Sequence, residues 1–144
     1  MIKEFLQSFG DIKIADVKKI GKQYYQISPE LQKEVDSLDE FPISAGLLLG
    51  EVEKGQFIPS PNLLNIINEQ TKKKIILNEK SSWLFVCGRD IFMEGVIDNC
   101  FEKGPILVLN EQQEVLGVAE KKGKEYKNIY DIGLLLRREQ KKRR

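Results

Sequence analysis

Residues 105–119 read Pro-Ile-Leu-Val-Leu-Asn-Glu-Gln-Gln-Glu-Val-Leu-Gly-Val-Ala, two apolar runs separated by five polar residues. Aliphatic and β-branched runs on either side of a short polar segment are typical of two antiparallel strands joined by a turn. The stretch therefore predicts a β-hairpin, and it makes the C-terminal part of the chain a sheet-based module.

The segments that flank this hairpin predict further strands and short helices. Residues 83–87, Trp-Leu-Phe-Val-Cys, form a fully apolar run that predicts a buried strand, and Gly88-Arg89-Asp90 then turns the chain into a short helix that ends near Gly95. Near the C-terminus, Asn128 or Asp131 is expected to cap a last helix. The inward face of that helix is predicted to comprise Ile132, Leu135 and Leu136.

The N-terminal part mixes helices with antiparallel strands. The predicted order is a helix before Gly10, two strands near residues 12–14 and 23–27, a helix after Ser28-Pro29, a hairpin formed by 44–53 and 56–58, a helix after Ser60-Pro61, and a strand at 75–77. Residues 78–82 are polar, as expected of a seam between modules. We therefore predict two domains, residues 1–78 and 79–144, in an α+β chain.

The charge of the chain is strongly polarised. The formal net charge of the 144 residues is only +1, but residues 121–144 contain ten Lys and Arg against three Asp and Glu. The rest of the chain is consequently acidic, with thirteen basic and nineteen acidic groups. A positive pole on an otherwise anionic body is the pattern expected of a protein that binds the phosphate backbone of a nucleic acid.

The composition argues against catalysis and against a metal or cofactor. The chain has no histidine, which removes the commonest general base and metal ligand, and its two cysteines have no metal-knuckle spacing. No apolar segment is long enough to cross a membrane. Cys87 and Cys100 lie among apolar residues and are predicted to be buried thiols of a reducing compartment, so we expect a soluble, cytoplasmic protein.

The basic C-terminal segment supplies most of the candidate RNA-binding residues. Arginine forms planar, bidentate hydrogen bonds with phosphates and stacks on bases, whereas lysine adds attraction that does not depend on sequence. Tyr126 lies within the segment and can be interpreted either as a stacking platform or as a ring packed on the edge of the sheet. The basic candidates in this segment are Lys121, Lys122, Lys124, Arg137, Arg138, Lys141 and Lys142.

Three groups of residues resemble a PUA domain, and more specifically the Nip-seven family of ribosome-biogenesis proteins. The groups are residues 83–92 (Trp-Leu-Phe-Val-Cys-Gly-Arg-Asp-Ile-Phe), residues 105–109 with Leu116-Gly117, and residues 131–139 (Asp-Ile-Gly-Leu-Leu-Leu-Arg-Arg-Glu). The order of strand, helix and hairpin from Tyr25 to Pro61 also follows the pre-PUA module of that family. The resemblance covers nearly the whole chain.

The resemblance implies an N-terminal pre-PUA α/β module with antiparallel strands, followed by a PUA-type β pseudobarrel with short helices. It also implies that RNA lies between the first helix of the barrel and the end of the chain, which places Gly88, Arg89 and Asp90 beside the groove. Family members act without catalysis in the maturation of pre-ribosomal RNA of the large subunit. They contact other assembly proteins through the N-terminal module.

Other interpretations of the same residues remain open. The lysines and arginines can form a merely solubilising face. A protein–protein adaptor in an RNA-processing complex, with incidental RNA affinity, is the alternative binding function. An RNA-modification enzyme would need a catalytic domain that is not seen in these 144 residues. The sequence predicts neither the oligomeric state nor the RNA sequence that is bound.

Overall fold

The computed structural model of the chain describes residues 1–36, 46–100, 102–134 and 137, without the side chains of residues 32, 35 and 36. The chain separates into two compact units, Met1–Ile67 and Asn68–Arg144. Each unit has its own sheet. The fold is therefore α+β, as the sequence predicts.

The first unit is built on a four-stranded antiparallel sheet with the strand order β1-β2-β3-β4. Along the chain its elements are α1 (Ile2–Gln7), β1 (Val17–Ile20), β2 (Gln23–Gln26), α2 (Pro29–Asp36), β3 (Leu47–Glu53) and β4 (Gln56–Pro59), and α3 (Pro61–Gln70) begins in this unit. The Ser-Pro signals predict both helix starts correctly. The Oγ atoms of Ser28 and Ser60 accept hydrogen bonds from the amides of Leu31 and Leu63, each at 3.2 Å.

Aromatic rings fill part of the interior of this unit. Phe5 of α1 packs on Phe9 and on Phe57 of β4, with ring centroids 5.3 and 5.2 Å apart, respectively. Gly50 faces Phe57 so closely that a Cβ atom at this position would overlap the ring. The hairpin of β3 and β4 therefore depends on a glycine within a strand.

The second unit is built on a six-stranded sheet with the order β6-β10-β9-β8-β5-β7, which forms a nearly closed pseudobarrel. Its elements are β5 (Lys74–Leu77), α4 (Glu79–Val86), β6 (Ile91–Phe92), a 3-10 turn (Met93–Gly95), β7 (Val96–Asp98), β8 (Pro105–Leu109), β9 (Val115–Lys122) and β10 (Glu125–Asp131). All paired strands are antiparallel except β5 and β8, which are parallel. Residues 132–134 and 137 are helical.

The hairpin of residues 105–119 is confirmed, and it forms the centre of the barrel. Strands β8 and β9 pair antiparallel from Pro105 opposite Glu120 to Leu109 opposite Val115. Ile106, Val108 and Ala119 are completely buried in a core that also contains the ring of Phe85 from α4. Burial of the larger of these side chains, such as those of Ile106 and Val108, stabilises the fold by roughly 1.5–3 kcal/mol each.

The apolar run at 83–87 is not a strand, and this prediction was wrong. Residues 83–86 form the second half of α4, and Cys87 caps its C-terminus. The helix begins after Asn78, whose side chain accepts a hydrogen bond from the amide of Ser81 at 2.8 Å. A run of five apolar residues does not distinguish a strand from a helix. Here the Asn78 cap favours the helix. As a consequence Trp83 is 65% exposed, and Cys87 is exposed rather than buried in the core.

The division into compact units differs from the domain boundary predicted at residues 78 and 79. Strand β5 pairs with β8, with Lys74 opposite Leu107, and also with β7, with Leu77 opposite Val96. These ladders tie residues 74–77 to the second sheet. The division of the chain into the two units accordingly falls between residues 67 and 68.

Candidate nucleic-acid interface

A groove of about 740 Å³ runs along the second unit beside α4. One wall is formed by Lys80, Ser81 and Leu84 of α4, and the other includes Phe92 of β6 and the turn that follows it. The loop that joins α4 to β6, residues 88–90, also lines it. The site therefore combines helix, loop and strand edge within one unit.

The most exposed aromatic ring of this groove belongs to Phe92. Its neighbour Ile91 is buried in the core, whereas 62% of Phe92 is exposed, because successive side chains of a strand point to opposite faces. Pairing with β10, in which Glu125 lies opposite Phe92, holds the backbone of this residue in place. The ring is thus an exposed apolar face on an ordered strand.

Charged groups of both signs line the groove. Lys80 and Arg89 are exposed cations, and Asp90, Glu94 and Glu125 are the acidic groups. Asp90 is already engaged, since its carboxylate accepts hydrogen bonds from the amide of Asn128 at 2.8 Å and from Nζ of Lys127 at 3.1 Å. The hydrogen bond from the Asn128 amide and, after it, the contact with Lys127 lower the pKa of Asp90 below its ordinary value.

The lowered pKa of Asp90 gives a small pH dependence of stability. A carboxylate with a depressed pKa in the folded protein stabilises it above the ordinary pKa of aspartate, and this contribution is lost as the pH falls through the folded value. Because Asp90 is largely solvent-exposed, we expect less than about 1 kcal/mol. Urea denaturation of wild type and Asp90→Asn between pH 7 and roughly pH 3 checks this: the difference in unfolding free energy should shrink on acidification, and a constant difference contradicts it.

Arg137 joins the last described part of the chain to the end of α4. Its guanidinium group donates a hydrogen bond to the carbonyl oxygen of Val86 at 2.9 Å and forms an ion pair with Asp131 at 3.2 Å. It also lies against Gly88, where it would be 3.2 Å from a Cβ atom. Gly88 has a φ of +96°, which favours glycine, and it leaves the guanidinium in contact with the loop that lines the groove.

The ion pair of Arg137 and Asp131 belongs to a larger network. The Asp131 side chain is only 4% exposed and accepts hydrogen bonds from the Leu134 amide at 2.8 Å and from Nδ2 of Asn128 at 3.1 Å. Asp131 is thus the helix cap that the sequence predicts as one of two choices. Asn128 instead donates to the carbonyl oxygen of Phe85 at 2.9 Å, so it also contacts the end of α4.

The structure places the predicted site residues in several different settings. Gly88 and Arg89 line the groove, and Arg137 lies beside Gly88. Lys121 and Lys122 are the last two residues of β9, and Lys124 lies in the turn that joins β9 and β10. Residues Arg138, Lys141 and Lys142 lie outside the described residues.

Tyr126 is not a stacking platform, and this interpretation of the sequence was wrong. The residue is 0% exposed and belongs to the core of the barrel. Its hydroxyl group donates hydrogen bonds to the side chain of Asn99 and to the carbonyl oxygen of Cys100. Burial raises the pKa of Tyr126 above its ordinary value, and a buried neutral phenol with two acceptors is a structural group.

The sequence prediction missed Phe92 and Lys80. An aromatic residue next to Ile91 is expected in the core, yet alternation along a two-residue strand exposes Phe92. Lys80 was placed in a polar seam, whereas it belongs to the first turn of α4. Among residues 1–36, 46–100, 102–134 and 137, no group of three or more acidic or cysteine side chains is arranged to hold a metal ion.

The fold is that of a PUA domain protein, in which an α+β unit precedes a pseudobarrel with short helices. Residues 73–140 match the model of the family described as UPF0113 PUA domain. The chain is also similar to a solved structure titled "Structure of a Conserved PUA Domain Protein from Thermoplasma acidophilum", with a TM-score of 0.54 and 17% identity over 95% of this chain and 91% of that one. No curated protein matches the chain. In the described part of the chain no helix is long and apolar enough to cross a membrane.

Proposed function

We propose that this chain is a non-catalytic RNA-binding factor of the cytoplasm that acts in assembly of the large ribosomal subunit, with pre-ribosomal RNA as its ligand. PUA domains as a class bind RNA, and the second unit has this fold and matches a PUA family model over residues 73–140. The ribosomal role is supported by the resemblance of the sequence motifs to the Nip-seven family. Other assembly proteins are then the expected partners of the first unit.

The exposed ring of Phe92 in a groove that also presents Arg89 and Lys80 is the observation that supports RNA binding most directly. An unpaired base stacks on an aromatic face with little dependence on its identity. Cationic side chains next to such a ring attract the adjacent phosphates. The groove therefore suits a single-stranded or splayed segment of RNA.

The charges of the groove fit a weak, local contact rather than the whole binding energy. Lys80 and Arg89 lie close to three acidic groups, so the groove itself is not strongly positive. The bulk of the electrostatic attraction must come from cations elsewhere, and the lysines of residues 121–144 are the nearest candidates in sequence. We infer that the groove positions a nucleotide and that cations outside it supply affinity.

Replacement of Phe92 by alanine tests the stacking role. We expect the affinity for a single-stranded oligoribonucleotide to fall about 5- to 150-fold, since a base stacked on an aromatic ring contributes roughly 1–3 kcal/mol. Fluorescence anisotropy at fixed salt measures the change. Phe92→Tyr, which keeps a ring, should bind within about twofold of wild type, as the stacking surface is retained.

A matched control uses Trp83, a strongly exposed aromatic side chain of α4. Trp83 lies outside the lining of this groove, so Trp83→Ala should leave the affinity unchanged. Equal losses in both variants would indicate a nonspecific apolar effect and contradict a defined stacking site. Unchanged binding in Phe92→Ala would remove the groove from the proposal.

The protein adaptor remains the second candidate, and the exposure of Trp83 favours it. A tryptophan that is 65% exposed on a helix is a typical anchor of a protein contact. Crosslinking in cells, followed by sequencing of the bound RNA, separates the two functions. Recovery of pre-ribosomal RNA supports the first, whereas partner capture that is lost in Trp83→Ala and resists nuclease and salt supports the adaptor.

A further inference from the structure

Lysines from two distant parts of the second unit meet at one edge of the barrel. Strands β5 and β8 are parallel, with Lys74 opposite Leu107, so the residues that precede them lie at the same end of the sheet. The contact is direct, because Nζ of Lys73 donates a hydrogen bond to the carbonyl oxygen of Lys103 at 2.7 Å. Lys72 and Lys103 are both exposed at this edge.

The hairpin of β9 and β10 brings further lysines to the same edge. Strand β9 is antiparallel to β8, and Glu120 lies opposite Pro105, the first residue of β8. The next residues, Lys121 and Lys122, therefore extend alongside the segment that contains Lys103. We name Lys72, Lys73, Lys103, Lys121, Lys122 and Lys124 the lysine row.

The lysine row continues from the edge of the groove. Lys122 lies opposite Glu125 on β10, and Glu125 lies opposite Phe92 on β6. From β6 the sheet order is β10, β9, β8 and β5, so the row extends from the exposed aromatic ring across the sheet. Four steps between neighbouring strands, at about 4.8 Å each, give a track of roughly 19 Å.

The charge of this edge is positive even after its acidic neighbours are included. The six lysines face three glutamates, Glu102, Glu120 and Glu125, and the last of these is also 3.7 Å from Nζ of Lys127. The groove, in contrast, has more acidic than basic groups along its lining. The edge therefore supplies the positive potential that the groove lacks.

We propose that the lysine row is a second RNA-binding surface, which holds the phosphate backbone of the strand whose base stacks on Phe92. This inference rests on the proposed RNA-binding function. It extends that function by assigning a phosphate-binding role to Lys72, Lys73 and Lys103, which lie outside the basic C-terminal segment. Lysine ammonium groups are point charges that suit phosphates without selecting a base sequence. A linear series of cations that starts at a stacking ring fits a linear polyanion better than a compact acidic protein.

The experiment compares RNAs of two lengths on two triple variants. The test variant, Lys72→Gln, Lys103→Gln and Lys122→Gln, removes three exposed cations and leaves Lys73, whose ammonium group contacts a backbone carbonyl. The control variant, Lys3→Gln, Lys18→Gln and Lys33→Gln, removes the same charge at exposed positions of the first unit. Oligouridylates of about 5 and about 20 nucleotides are titrated at salt concentrations from about 50 to about 200 mM.

The expected result is specific to the longer RNA. For single strands the slope of the logarithm of affinity against the logarithm of salt is about −0.7 per phosphate contact, so loss of three contacts makes the slope shallower by about two. For the longer oligomer, the ratio of the affinity at about 50 mM salt to that at about 200 mM salt should therefore be about 20-fold smaller in the test variant than in wild type. Binding of the short oligomer, which occupies the groove, should change by less than about twofold.

The outcomes separate this inference from the proposed function. Suppose that wild type binds RNA, and that the salt dependence of affinity for the longer oligomer has the same slope in the test variant as in the control variant. The lysine row is then not a binding surface. If wild type binds neither oligomer, the proposed function itself fails. Circular dichroism of both variants checks that they are folded, and the control variant shows how much of any loss is due to total charge alone.

Discussion

Replacement of Asp131 by alanine is expected to lower the free energy of unfolding of the second unit by about 3 kcal/mol. The buried carboxylate accepts hydrogen bonds from Asn128, the Leu134 amide and Arg137, so its removal leaves several donors without their acceptor. Loss of a helix cap contributes about 1 kcal/mol, and loss of the buried carboxylate that accepts from Asn128 and Arg137 contributes the larger part. Arg137 is 41% exposed, and water therefore recovers some of its hydrogen bonds.

Urea denaturation followed by circular dichroism measures this change, and amide hydrogen exchange at Cys87 and Arg89 locates it. Their amides donate hydrogen bonds to carbonyl oxygens of α4, so they report on the end of that helix. Asp131→Asn is the matched control: it keeps an acceptor for the Leu134 amide, and we expect about half the loss. A loss below about 1 kcal/mol in the alanine variant would show that the network does not stabilise the fold.

The network also explains why the predicted role of Arg137 needs refinement. The sequence suggests that Arg137 contacts RNA directly, and its position beside Gly88 is close to the groove. Its guanidinium group is, however, already bonded to Val86 and Asp131. Sequence reasoning finds the arginine, but it cannot find which partners compete for it, because these lie about fifty and six residues away in the chain.

The elements that sequence predicts well are those with a local cause. Ser28 and Ser60 cap helices through their own hydroxyl groups, and the hairpin of residues 105–119 follows from two apolar runs and a polar turn. The parallel pairing of β5 with β8 has no local signal, because it joins strands about thirty residues apart. That pairing decides both the division into units and the existence of the lysine row.

The candidate site shows the same division between local and distant causes. The resemblance to a PUA domain points to Gly88 and Arg89, and the structure places both in the groove lining. The exposure of Phe92 and of Tyr126 depends on which face of each strand points into the barrel. The sequence itself does not distinguish the two aromatic residues in this respect. Only the register of β10 with β6 exposes the first and buries the second.

Gly117 of β9 lies where the barrel leaves no space for an added methyl group. It lies opposite Asp131 on β10 and Val108 on β8. A Cβ atom there would overlap the carbonyl oxygen of Tyr130 and would lie 2.8 Å from Cα of Asp131 and 2.9 Å from the ring of Phe85. Two of these three contacts are with backbone, which cannot move without breaking the pairing of β9 with β10.

We therefore expect Gly117→Ala to lower the free energy of unfolding by about 3 kcal/mol or more, as overpacking against backbone is relieved only by shifting a strand. Gly123→Ala is the matched control, because Gly123 also has a positive φ, +64°, but has no atom within 4 Å of the added Cβ. The control should lose only about 1 kcal/mol from backbone strain. The difference between the two variants in urea denaturation measures the overlap together with the greater backbone strain of an alanine at φ +156°. Equal losses would mean that α4, and with it one wall of the groove, does not depend on this close approach.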